Sequence, residues 1–107
     1  MSTDQDPIVS ILLQEEPELG ELVSRFIDAL PGLVDDFASA IEQKDWPMVR
    51  QLAHDMKGIG GGYGYPLLSE LAERMGQGVK NEQFVKLKSD LVEMKQLMQR
   101  IILGCQT

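Results

Sequence analysis

The residues best suited to chemistry lie in one stretch, Ala53-His54-Asp55-Met56-Lys57-Gly58-Ile59-Gly60-Gly61-Gly62-Tyr63-Gly64, which holds the only histidine and five of the ten glycines. An imidazole is the one side chain that is substantially neutral, hence nucleophilic, near pH 7. If residues 46–59 are helical, the 3.6-residue period sets His54, Lys57, Gly58 and Gly61 on one ridge, at i, i+3, i+4 and i+7. Lys57 can then neutralise charge added to the imidazole, and the missing Cβ atoms at Gly58 and Gly61 leave a path for an incoming group. Each helical glycine costs about 1 kcal/mol relative to alanine, so several beside a lone imidazole imply that something approaches closely there. A transferable phosphoryl group fits both features, being negatively charged and delivered by a second protein. The plainer reading is an ordinary surface histidine followed by a helix C-cap and a loop.

Other constellations fail on spacing. One histidine and one cysteine, with carboxylates scattered along helix surfaces, give no set that converges on a metal ion. GxxxxGK[ST] is absent, and GxGxxG fails because Tyr63 or Tyr65 stands at its last glycine in either frame. The glycines also follow a helix rather than precede one, so a nucleotide pocket at a helix N-terminus is not expected. Asp55 lies about 100° round the helix from His54, which argues against a His-Asp dyad. No paired carboxylate or second nucleophile supports an acid–base enzyme. Tyr63 and Tyr65 are expected to pack on the end of the fold rather than to stack on a ligand.

Positioning this stretch falls to a chain of 107 residues, enough for one domain with a single core. A formal charge of -7 argues against nucleic acid and anionic membrane surfaces as partners. Cys105 stands alone, so no intramolecular disulfide forms and nothing points to an oxidising compartment. The N-terminus is acidic and polar, and no apolar run approaches eighteen residues, which leads us to expect a soluble, cytoplasmic protein.

The apolar spacing predicts helices throughout. Residues 1–6 are expected to form a disordered leader. Asp6 and Pro7 open a short helix carrying Ile8, Val9, Ile11 and Leu12, which ends before Pro17. Leu19, Val23, Phe26, Leu30, Leu33, Phe37 and Ile41 then recur at steps of three and four. That stripe keeps phase through Pro31-Gly32 and favours one long helix, kinked at Pro31, over two helices with a turn; both stay open for residues 17–44. Asp45 caps a third helix with Pro47 in its first turn, and Val49, Leu52, Ala53 and Met56 form its buried stripe. His54 and Lys57 must therefore face away from the core, with Arg50 one turn earlier. Pro66 starts a fourth helix with Leu67, Leu68, Leu71, Ala72 and Met75 inward, ending near Gly76-Gln77-Gly78. Asn81 caps a fifth, whose stripe from Phe84 through Leu87, Leu91 and Met94 to Ile101 reaches about residue 102, leaving a frayed tail at 104–107. No segment alternates with period two. The expected fold is all-α, an antiparallel four-helix bundle over residues 7–103 with a short extra N-terminal helix.

Ala53-His54-Asp55-Met56-Lys57-Gly58, the small residues Gly60 to Gly62, Tyr63-Gly64, and the leucines at 67, 68 and 71 together resemble a known signature. It is that of the histidine-containing phosphotransfer (HPt) domains of multistep two-component phosphorelays. Lys44-Asp45-Trp46 and the long apolar helix before it also look like the family, and the resemblance runs over roughly residues 8–103. It implies that His54 is phosphorylated through Nε2, that Lys57 helps stabilise the phosphoryl group, and that Gly58 keeps the imidazole accessible. It further implies a phosphocarrier with no ATP site and no turnover of its own. The phosphoryl group would arrive from the aspartate of one receiver domain and leave to another, in a relay headed by a hybrid sensor histidine kinase. No cofactor is expected on this chain, Mg²⁺ coming from the receiver, and the chain is expected to be a monomer. Two positions depart from the pattern: Ile59 stands where a small residue is usual, and Gly62 replaces a polar one. In-line transfer needs the receiver over the ridge, which makes Ile8, Ile11, Leu12 and Leu22 candidate apolar contacts. The alternative of a different class is a non-phosphorylated helical adaptor module.

Overall fold

Among the described residues five helices form in the order α1 (Ile11–Glu15), α2 (Gly20–Glu42), α3 (Trp46–Gly62), α4 (Pro66–Lys80) and α5 (Phe84–Gln106), with a 3-10 turn at Pro17–Leu19 before α2. The structure is a computed structural model that describes residues 6–106, so the expected leader, apart from Asp6, lies outside the described residues, as does Thr107. Helices α2 to α5 close a ring in which α2 touches α3 and α5, and α4 touches the same two. Connections of three residues make successive helices antiparallel. Among the described residues there is no strand, and the all-α bundle with its short N-terminal helix is the fold found.

Helix α2 runs unbroken through Pro31, the single-helix alternative. Proline has no N–H to offer the carbonyl of Ile27, and burial of Val23, Phe26 and Leu30 before it and Val34 and Phe37 after it holds the two halves in one helix. Past Pro31 the inward position is Val34, while Leu33 is only partly buried.

The three turns between these helices close in the same way. The N–H of Asp45 donates to the carbonyl of Ala40 (2.9 Å), that of Tyr65 to Gly60 (2.8 Å), and that of Gln83 to Gly78 (2.8 Å). A left-handed residue precedes each donor: Lys44 (φ 57°), Gly64 (φ 85°) and Glu82 (φ 58°). Only Gly64 must be glycine, because a Cβ there would collide with Leu12 N and Ser10 Oγ.

Four boundaries differ from the sequence expectation, each for a tertiary reason. The first helix begins at Ile11 with Ser10 as its cap, not at Pro7. The segment from Asp6 to Ile8 lies against α5 instead: Ile8 N–H donates to the carbonyl of Arg100 (3.0 Å), and Arg100 Nε to that of Asp6 (2.9 Å), while Ser10 Oγ donates to the carbonyl of Tyr63. Helix α4 continues past Gly76 and Gly78 to Lys80, both glycines facing neighbouring helices at ordinary contact distance. A Cβ at Gly76 would sit 3.6 Å from Ala53 Cβ, and one at Gly78 the same distance from Leu87 Cδ2. Asn81 closes α4 rather than capping α5. Finally, α5 reaches Gln106, so residues 104–106 are helical and not frayed. Gly104 allows the Ile8 carbonyl to lie against that last turn, which the N-terminal segment thereby holds.

Candidate functional site

The site begins with the phase of α3. Asp45 Oδ1 accepts from the N–H of Met48 (3.3 Å), and Pro47 occupies the first turn, so the helix starts where the sequence places it. Val49, Ala53 and Met56 are buried, which turns His54, Lys57 and Gly58 to solvent. Asp55 accepts from Gln51 Nε2 (3.0 Å) on its own side of the helix, consistent with no dyad to His54.

Helix α4 frames this ridge because small residues let the two helices approach. A Cβ at Gly60 would lie 3.2 Å from Ser69 N, and Ser69 Oγ donates to the carbonyl of Lys57 (2.7 Å). Lys57 Nζ reaches across to Glu73 Oε1 at 3.2 Å. The glycines, which the sequence groups together, separate in space. A Cβ at Gly58 would meet nothing within 4 Å, so that position is open surface beside His54. Gly61 turns toward α4, where a Cβ would lie 3.5 Å from Ser69 Oγ, an ordinary contact, so it is not part of the open surface beside His54.

His54 sits at the shared edge of two surface grooves. One, of about 180 Å³, is polar and largely basic, with Arg50, Lys57 and Lys80 around it and Glu73 and Gln77 on the α4 side. The other, of about 570 Å³, has walls of Leu12, Leu22, Ile59 and Tyr63, with Gly58 and Gly62 in its floor. Tyr63 is fixed by stacking on Phe26, ring centroids 4.7 Å apart, and Tyr65 tilts against the same ring, so both tyrosines pack as expected. Burial, and to a smaller extent the neighbouring Cys105, pushes the Tyr65 hydroxyl up to about 12, so it stays neutral at physiological pH.

Of the candidate apolar contacts, Leu12 and Leu22 line the second groove, Ile8 packs against the core, and Ile11 is exposed. Sequence reasoning missed Glu73, Gln77 and Lys80. Their spacing of four and three, in register with Ser69, marks a polar stripe beside the Leu68–Ala72–Met75 stripe and was the available signal. Among the described residues no group of three or more His, Cys, Asp or Glu side chains is placed to hold a metal ion. No helix among them is long and apolar enough to cross a membrane.

The bundle thus carries a solvent-facing imidazole between two shallow grooves. The family model for the Hpt domain matches residues 21–103, and the chain belongs to that family. Hpt domains are phosphocarrier modules that interact with receiver domains and histidine kinases, which gives this chain a histidine phosphotransfer role in two-component signalling. Comparison with curated proteins and with solved structures gave no match.

Proposed function

We propose that His54 accepts a phosphoryl group from the aspartate of one receiver domain and passes it to a second receiver in a phosphorelay. The observation that carries this reading is the position of His54 at the shared edge of a basic and an apolar groove. A receiver seated over Leu12, Leu22 and Gly58 brings its acyl phosphate to the imidazole, while Lys57, with Arg50 and Lys80 behind it, faces the phosphoryl oxygens. The Nε2 lone pair forms the N–P bond as the P–O bond to the aspartate breaks in line, and the aspartate leaves as a carboxylate. The imidazole keeps its proton on Nδ1, and transfer to the next aspartate reverses the step. Mg²⁺ comes with the receiver. Chemistry of this kind needs no pocket on the carrier, only an accessible nitrogen, and the bare surface at Gly58 supplies that access. The reading makes the chain a monomeric carrier in the cytoplasm, between receivers that include one from a hybrid sensor histidine kinase.

Incubation with a phosphorylated receiver domain tests it. Wild type is expected to gain an acid-labile, base-stable phosphate, and His54→Ala to gain none. Equal labelling of the two proteins would overturn the assignment and leave a helical adaptor in its place.

A further inference from the structure

The ion pair between Lys57 and Glu73 has a consequence for how long the phosphoryl group stays. Lys57 Nζ and Glu73 Oε1 are 3.2 Å apart and both side chains are about half exposed, at 51% and 53%. Both line the groove that His54 borders. The bases of the two side chains are held in place: α3 and α4 are locked here by the 2.7 Å bond from Ser69 Oγ to the carbonyl of Lys57, one turn of α4 before Glu73. Their tips are free, because an exposed pair of this kind is weakly held and easily exchanged for another partner. The strongest competing partner is a phosphoryl group on His54, one helical turn from Lys57, which brings negative charge into the same groove. Glu73 competes with such a group for the ammonium one turn further along α3.

We infer that Glu73 is a positioning residue that holds Lys57 away from phospho-His54, shortening the life of the phosphohistidine and favouring its onward transfer. The inference rests on His54 as acceptor and adds to it a setting of the carrier's affinity for its cargo. A carrier that grips the phosphoryl group too well cannot release it to the next aspartate, and Glu73 keeps that grip loose. The effect runs through Lys57, since Glu73 competes for the ammonium and makes no contact of its own with the imidazole among the described interactions.

The test compares wild type, Glu73→Gln, Glu73→Asp, Lys57→Ala and the double variant, each phosphorylated from the same receiver domain. Glu73→Gln is expected to lengthen the phosphohistidine half-life by about 1.5-fold to fivefold, the range that one exposed ion pair is worth. The receiver-to-His54 equilibrium should shift toward His54 by a similar factor. The Lys57 side-chain ammonium resonance should move on phosphorylation more in Glu73→Gln than in wild type. Glu73→Asp, which restores the charge, should return the half-life toward wild type. In the Lys57→Ala background the substitution should change nothing. A Glu73→Gln half-life equal to wild type overturns the inference, and so does an effect that persists without Lys57. Failure of wild type itself to take phosphate on His54 is a different result, seen before any variant is compared, and removes the acceptor reading along with this one.

Discussion

Two mainly apolar grooves on this bundle have nearly the same size but are built from different residues. The one beside His54 encloses about 570 Å³ between α1, the start of α2 and the second half of α3. The other encloses about 680 Å³ where the end of α2, the start of α3 and the first half of α5 meet. The second is floored by Trp46 and Phe84, stacked 4.2 Å apart, with Val85 89% exposed at its edge and Lys44, Lys88 and Lys95 round its rim. It is the roomier and the more apolar, yet its polar groups are lysines and Glu42, none of them a nucleophile near neutral pH. The groove beside His54 is built on glycines where the other is built on aromatic rings. Volume and the proposed site therefore fall on different grooves, and what distinguishes the smaller one is an imidazole flanked by positions without side chains.

Substitutions that disturb one groove and spare the other break or sharpen this contrast. The largest effect is expected from Gly64→Ala, which adds a Cβ at a left-handed residue against the backbone of Leu12 and so displaces the wall of the His54 groove. A loss of roughly 2–4 kcal/mol in urea unfolding is expected. Native fluorescence of Trp46, the only tryptophan and a reporter of the far groove, should remain unchanged. Stability within experimental error of wild type would mean that α1 is not tied down through this turn. A smaller effect is expected from Gly58→Leu, where the new side chain enters open surface: helix stability should rise by about 0.5–1 kcal/mol. Phosphoryl transfer from a receiver should fall by about tenfold, the kinetic equivalent of ~1.4 kcal/mol. An undiminished rate would remove the argument from access. The smallest is a matched pair, Leu22→Asp and Val85→Asp, at residues 44% and 89% exposed. Receiver affinity measured by calorimetry should drop about fivefold for Leu22→Asp, on the order of 1 kcal/mol of lost apolar burial, and stay constant for Val85→Asp. Equal effects would erase the distinction between the grooves.

Much of the His54 side of this contrast is legible in the residues. The spacing of Val49, Ala53 and Met56 determines which way His54 faces, and Asp45, Pro47 and Pro66 punctuate the helices where the structure has them. These signals are local, since periodicity and capping act within a few residues. What escapes is set by contacts distant in sequence. Gly76 and Gly78 carry the composition of a helix end, but they lie within α4 against Ala53 and Leu87, and nothing near them announces it. Pro7 carries the composition of a helix start, but the carbonyl of Arg100 has claimed the N–H of Ile8. The polar stripe of Glu73, Gln77 and Lys80 reads as a solvated face until α3 is laid beside it.

The last turns of α3 bear on a different property, the order in which the molecule comes apart. Gly58, Gly60, Gly61 and Gly62 are all helical, at about 1 kcal/mol each against alanine. That segment is helical because α4 and the Ser69 hydroxyl hold it, and its own propensity opposes it. Hydrogen exchange is expected to be faster at these glycine amides than at the Trp46 end of α3, which stacks on Phe84, and equal protection at both ends would show that the tertiary contacts fully offset the low propensity. On the proposed role of His54, the imidazole stands one turn before this glycine segment, on a part of α3 whose own residues favour the helix.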